Sequence, residues 1–197
     1  MKRISAGLLV FLITGMILFS ANETRAKEYL GFSPGVQSWD EVELTLKTAH
    51  AVYETNYSYQ GYANILPVIK VNSYKKFNKF GQVKESWLDF TPDRKLYRIS
   101  VTWEHADKTF KILKDALDTK YGQPAIPGGI GNRGFRKEYR YEDREIGILL
   151  KFDEFGFEPT TSLIYTYTPA TPQYEKGKKM IEDDIKKINA QKAGSDL

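Results

Sequence analysis

The stretch VKESWLDFTPDRKLYRISVTW, residues 83–103, decides the fold class. In its second part Tyr97, Ile99, Val101 and Trp103 alternate with Arg98, Ser100 and Thr102. Successive side chains of a strand point to opposite faces, so this period of two predicts a strand over about 96–103 with one apolar face. A second strand is predicted at about 83–90. Thr91-Pro92-Asp93-Arg94-Lys95 joins the two, and its proline and aspartate suit a tight connection. So short a link implies antiparallel pairing.

Upstream, a strand is expected within 62–71, where Pro67 cannot donate to a ladder and points to an edge position or a bulge. Before it, Ser38-Trp39-Asp40-Glu41 reads as a capping box that follows a turn at Pro34-Gly35. Val42, Leu46, Ala49 and Tyr53 recur at helical spacing and predict a helix over about 39–53, although Val42, Leu44 and Leu46 also alternate like a strand.

Downstream, Phe110, Leu113, Leu117 and Tyr121 share a helical face, with Asp107 as a cap and Gly122 and Pro124 as the stop. Three more strands are expected at about 135–141, 145–152 and 161–168. Glu142-Asp143-Arg144 and Asp153-Glu154-Phe155-Gly156 form their turns. A last helix starts at Thr171-Pro172 and presents Tyr174, Ile181, Ile185 and Ile188 on one face.

The order is helix, three strands, helix, three strands, helix. The expectation is an α+β fold: one unit occurring twice, at about 30–105 and 106–168, forming an antiparallel sheet with helices on one face. A C-terminal amphipathic helix over 171–192 and a flexible tail at 193–197 complete the chain. Asp93-Arg94-Lys95-Leu96 and Asp143-Arg144-Glu145-Ile146 fall at corresponding hairpins.

In element order, and in Gly31-Phe32-Ser33-Pro34-Gly35 before one helix and Lys120-Tyr121-Gly122-Gln123-Pro124 after another, the chain resembles exported αβββ modules. Such modules occur in tandem in β-lactamase inhibitor proteins and singly in small lipoproteins of outer-membrane assembly. The resemblance implies a binding role. The chain departs from both groups by having no cysteine, hence neither disulfides nor a lipid-modified cysteine.

Residues 1–26 read as a signal peptide. Lys2 and Arg3 begin it, an apolar run of about 16 positions from Ile4 to Phe19 follows, and Thr24-Arg25-Ala26 surrounds the cut. The run is shorter than the roughly 20 residues of a membrane span and lacks a basic stop-transfer cluster. Cleavage leaves one domain, residues 27–192 with the short tail, and a periplasmic or secreted destination with no membrane anchor. The mature chain then carries 26 basic and 24 acidic residues, too small an excess for a phosphate-tracking stripe, so nucleic acid is not an expected partner.

Candidate chemistry meets ordinary explanations. Gly129-Ile130-Gly131-Asn132-Arg133-Gly134 matches the spacing of a dinucleotide motif but follows a helix and opens a strand, the reverse of the required context. The glycines, Gly128 included, instead suit a mobile connection beside a binding surface. Glu104-His105-Ala106-Asp107 holds acid/base and metal-ligand types, yet Asp107 is spoken for as a cap and His50 has no neighbour in sequence to work with. The acids Glu142, Asp143, Glu145, Asp153 and Glu154 sit at turns, where exposed carboxylates are common.

The tyrosines carry more. Tyr57 with Tyr59, Tyr139 with Tyr141, and Tyr165 with Tyr167 share parity, so each pair lies on one strand face. Under helices such a face is core, and open it makes an amphipathic surface for protein or glycan. The expected function is therefore a non-enzymatic exported protein that binds another macromolecule, a protein of the cell envelope, in an envelope, inhibitor-like or immunity-like role. Tyr59, Tyr139, Tyr165, Gly129, Ile130, Asn132 and Arg133 are the candidate binding residues, with no cofactor, metal or catalytic group assigned. The alternatives are a small-ligand or glycan binder using the tyrosines and a hydrolase built on Glu104 or His105.

Overall fold

A computed structural model describes residues 27–104, 106–125, 136–154 and 158–195. The chain runs α1 (Trp39–Thr48), β1 (Val52–Ser58), β2 (Pro67–Ser73), a single turn of helix α2 (Lys75–Asn78), β3 (Val83–Phe90) and β4 (Leu96–Trp103). It continues through α3 (Ala106–Tyr121), β5 (Arg136–Asp143), β6 (Ile146–Asp153), β7 (Thr160–Tyr167) and α4 (Thr171–Ser195). The strands form one antiparallel sheet of seven in the order β1-β2-β3-β4-β7-β6-β5. The fold is α+β.

The capping box at the start of α1 is present: the Ser38 hydroxyl accepts from the Glu41 amide and the Glu41 carboxylate accepts from the Ser38 amide at 2.7 Å. Val42 and Leu46 are buried while Leu44 is 64 % exposed, so the helical period holds and the strand-like alternation does not. The helix stops earlier than its sequence pattern predicts. His50 takes the left-handed conformation at φ 52°, its N–H donates to the Lys47 carbonyl, and the Ala51 N–H donates back to Leu46. This is the paired closure that glycine usually supplies at a helix end. Tyr53 consequently belongs to β1, and the first half has four strands where three are expected. The halves differ in strand number, and Pro67 opens an interior strand because β1 takes the edge.

The hairpin of residues 83–103 forms with the expected antiparallel register, but a β-bulge between Phe90 and Asp89 opposes Leu96 and Arg98 and leaves Tyr97 as the extra residue. Tyr97 is thereby turned away from Ile99, Val101 and Trp103. It stacks on Tyr174 of α4 with ring centroids 4.3 Å apart. The predicted four-residue face is therefore a three-residue face, and the displaced tyrosine is the anchor for the C-terminal helix.

One face of the sheet is closed. The cross-strand row Ile69–Leu88–Ile99–Tyr165–Ile148–Tyr141 lies in a core shared with Trp39, Val42 and Leu46 of α1 and Leu113 and Leu117 of α3. Trp103 is completely buried there, its indole N–H donating to the Phe77 carbonyl at 2.9 Å. Among the described residues, α4 packs on one corner of the opposite face. Tyr174 and Ile181 of α4 pack with Leu66 and Tyr97, and Gly177 lets the helix approach so closely that a Cβ there would lie 3.1 Å from Leu66. Ile188, further along the same helix, is 39 % exposed.

Candidate functional site

Three rows of side chains cross the uncovered face. They are Tyr57–Val68–Asp89–Arg98–Thr166–Gly147–Glu142, Lys70–Trp87–Ser100–Ile164–Leu149–Arg140, and Glu85–Thr102–Ser162–Lys151–Glu138. Alternation puts them there, since each is one residue out of step with the closed core. Two open hollows occupy this surface: one of about 520 Å³ over β4–β7–β6–β5, the other of about 310 Å³ between β1–β4 and α4. Arg98 lines both, and the two hollows on this face are together called the trough.

Arg98 is the pivot of the trough. Its Nε donates to the Asp89 carboxylate at 2.6 Å, and its guanidinium lies 5.7 Å and 5.6 Å from the ring centroids of Tyr97 and Tyr174. Burial disfavours its charge, but the neighbouring Asp89 outweighs this and holds the guanidinium more firmly protonated than usual. Burial also pushes the Tyr174 hydroxyl up, helped by the Asp89 charge. At the β1 side Tyr57 meets Trp87 edge-on at 5.2 Å, and the Lys70 ammonium lies over both rings at 5.4 and 5.6 Å. At the β5 side Glu138 sits 3.7 Å from Arg140 and 3.5 Å from Lys151.

The residues that the sequence singles out are not brought together. Tyr165 is buried in the closed core against Tyr29 at 5.0 Å. Tyr139 lies on the same face, tilted against Phe110 of α3 at 5.6 Å and under the Lys114 ammonium. Tyr59 stands on the other side of the sheet, in a 3-10 turn at the α4 corner with Lys178 over its ring at 5.5 Å. Gly129, Ile130, Asn132, Arg133 and His105 lie outside the described residues.

Three of the turn carboxylates, Asp143, Asp153 and Glu154, have partners. Asp143 accepts from the Tyr29 hydroxyl at 2.8 Å and pairs with Lys27; burial opposes its charge, yet Lys27 and Tyr29 win and keep its pKa below the usual value. Tyr121 beside it is pushed up to about 12, first by burial and then by the Asp143 charge. Asp153 holds Arg136 at 2.7 Å and Glu154 faces Lys137 at 3.6 Å. Among the described residues no group of three or more histidine, aspartate or glutamate side chains is placed to hold a metal ion, and no helix is long and apolar enough to cross a membrane.

Trp87, Asp89, Arg98 and Lys178 are the trough residues that sequence reasoning passed over. A signal existed in β3: Leu88 and Phe90 supply its apolar face, so Trp87 stands on the polar face between Glu85 and Asp89. A tryptophan out of phase with the core is a surface anchor by position. Compared with known proteins, the chain matches no family model, no curated protein and no solved structure.

Proposed function

We propose that this is an exported, non-enzymatic protein that binds a macromolecular partner along the uncovered face of its sheet. The observation that carries the reading is the trough centred on Arg98. It is broad and shallow, it carries a partly exposed aromatic pair at one end and cationic side chains at the other, and it lies on the strands of the sheet. Broad, open surfaces with aromatic and arginine anchors suit large partners, whereas enzyme sites gather titratable groups in a closed cleft. The leader-like residues 1–26 support export to the cell envelope.

The test uses the chain from Lys27 onward, tagged, with an envelope extract that contains both proteins and polysaccharides. Reversing two charges in the trough, Arg140→Glu with Lys151→Glu, is expected to reduce retention of the partner about tenfold or more. The same reversal at Lys75 on α2 and at Lys79 just after it, away from the trough, is expected to leave it unchanged. Equal retention by both variants, with folding confirmed by circular dichroism, overturns the reading.

A further inference from the structure

We infer that the end of the trough beside α4 is a subsite for a sugar ring of an acidic glycan. The inference rests on the uncovered face being the binding surface and names the chemistry of what it binds. The hollow there, about 310 Å³, is at the low end of the roughly 300–1,000 Å³ of small-molecule clefts, so its size suits a compact ring. Tyr57 on β1, Trp87 on β3 and Tyr59 line it with partly exposed rings, and the buried Tyr174 of α4, stacked on Tyr97, closes it.

A pyranose has an apolar face of C–H groups and a rim of hydroxyls that both donate and accept. An aromatic ring covers the first, and the second needs an acceptor and a donor side by side. Asp89 and Arg98 supply that pair. Asp89 is only 7 % exposed and Arg98 uses its Nε on it, while the remaining carboxylate oxygen and the two terminal guanidinium nitrogens make no other hydrogen bond among the described residues. No fully buried polar side-chain atom of the described residues is left unpaired, so those atoms are not sealed from solvent, and both residues line the hollow. The pair packs against the Tyr97–Tyr174 stack, with the guanidinium within 5.7 Å of both rings, and such packing lowers the ordering cost of binding.

Charge selects among sugars. Lys70 lies over Tyr57 and Trp87, and Lys178 over Tyr59, while Asp89 is already matched by Arg98. Among the residues that line the hollow, Arg98 and Lys178 are positive against Asp89 alone, while Glu175, 3.5 Å from Lys178, and Glu85, which accepts from the Trp87 indole N–H at 3.4 Å, stand beside it without lining it. The balance favours a ring bearing a carboxylate over a neutral one.

The chain carries its own reporter. Of its three tryptophans, Trp39 is 7 % exposed and Trp103 is fully buried, so Trp87 is the one open to a ligand. Titrating the mature chain with a glucuronic-acid oligosaccharide is expected to give a saturable change in tryptophan fluorescence. That change is expected to vanish in Trp87→Phe, to need about tenfold more ligand in Arg98→Met, and to weaken as salt is raised. A neutral gluco-oligosaccharide of equal length is expected to bind about tenfold more weakly. No saturable change, an equal response to the neutral sugar, or a response that survives Trp87→Phe overturns the inference. If Trp87→Ala keeps its envelope partner while the Arg140→Glu, Lys151→Glu variant loses it, the glycan subsite fails and the binding face stands. If both variants keep the partner, the face itself fails.

Discussion

The two faces of the sheet are built from the same seven strands and end with opposite chemistry. Under α1 and α3, tyrosines become core: Tyr165 and Tyr141 are buried, and Tyr141 reaches out only to give its hydroxyl to Asp118 of α3 at 2.7 Å. On the other face, Tyr57 and Trp87 stay half exposed, with a lysine over their rings. Residue type does not separate these outcomes. What separates them is where helices exclude water: among the described residues α1 and α3 close one face, and α4 packs on one corner of the other.

The largest expected difference between the faces is energetic. Trp103→Ala removes a fully buried indole and its hydrogen bond to Phe77, and is expected to cost about 3 to 5 kcal/mol in urea denaturation, enough to unfold much of the population. Gly177→Val tests the other face. A side chain there meets Leu66 and Pro92 at 3.1–3.2 Å, so α4 is expected to loosen at a cost of about 1 to 3 kcal/mol. Trypsin should then cut first at Lys178 and Lys179 while the sheet still unfolds cooperatively. If this variant unfolds the whole chain as Trp103→Ala does, the distinction between a closed core and a docked helix is broken.

The smallest effect sharpens how α3 is tied down. The Asp118 carboxyl is held below its ordinary value, first by Lys114 and then by the Tyr141 hydroxyl. A pKa lowered on folding gives stability that is present above the unfolded value of about 4 and is lost as pH falls through the folded value. Asp118→Asn is expected to cost about 1 kcal/mol at pH 7 and to flatten the loss of stability between about pH 5 and pH 3. Identical acid limbs in the two proteins remove Asp118 from the account.

Most elements are legible from periodicity, because the closed face needs apolar residues at fixed spacing and both α3 and the hairpin of residues 83–103 show it plainly. The misses have local causes. Helix α1 ends on a histidine in a conformation usually given to glycine, so β1 is hidden inside an apparent helical repeat. Tyr97 follows the strand alternation in sequence and leaves it in space, because a single extra residue at a bulge reverses the face. Arg94 and Arg144 take left-handed conformations at the corresponding hairpins, at φ 60° and 57°, which sequence similarity there only hints at. The candidate site was less legible. Tyr59 reaches the trough, while Tyr139 and Tyr165 go under α3, because equal parity within each strand says nothing of which face the helices will choose.

The amino-acid sequence by itself determined the α+β class, the antiparallel hairpins and the capped start of α1, because capping, turn chemistry and alternation act over a few residues; α3 already begins at Ala106, so Asp107, read as its cap, lies in its first turn. Only the tertiary structure decided which sheet face is closed, that β7 and not β5 lies beside β4, and that Asp89, Arg98, Trp87 and Tyr174 meet in one cleft. Those outcomes depend on contacts between residues far apart in the chain, such as Arg98 and Tyr174, 76 positions apart, where burial and packing choose among faces that local pattern leaves equal.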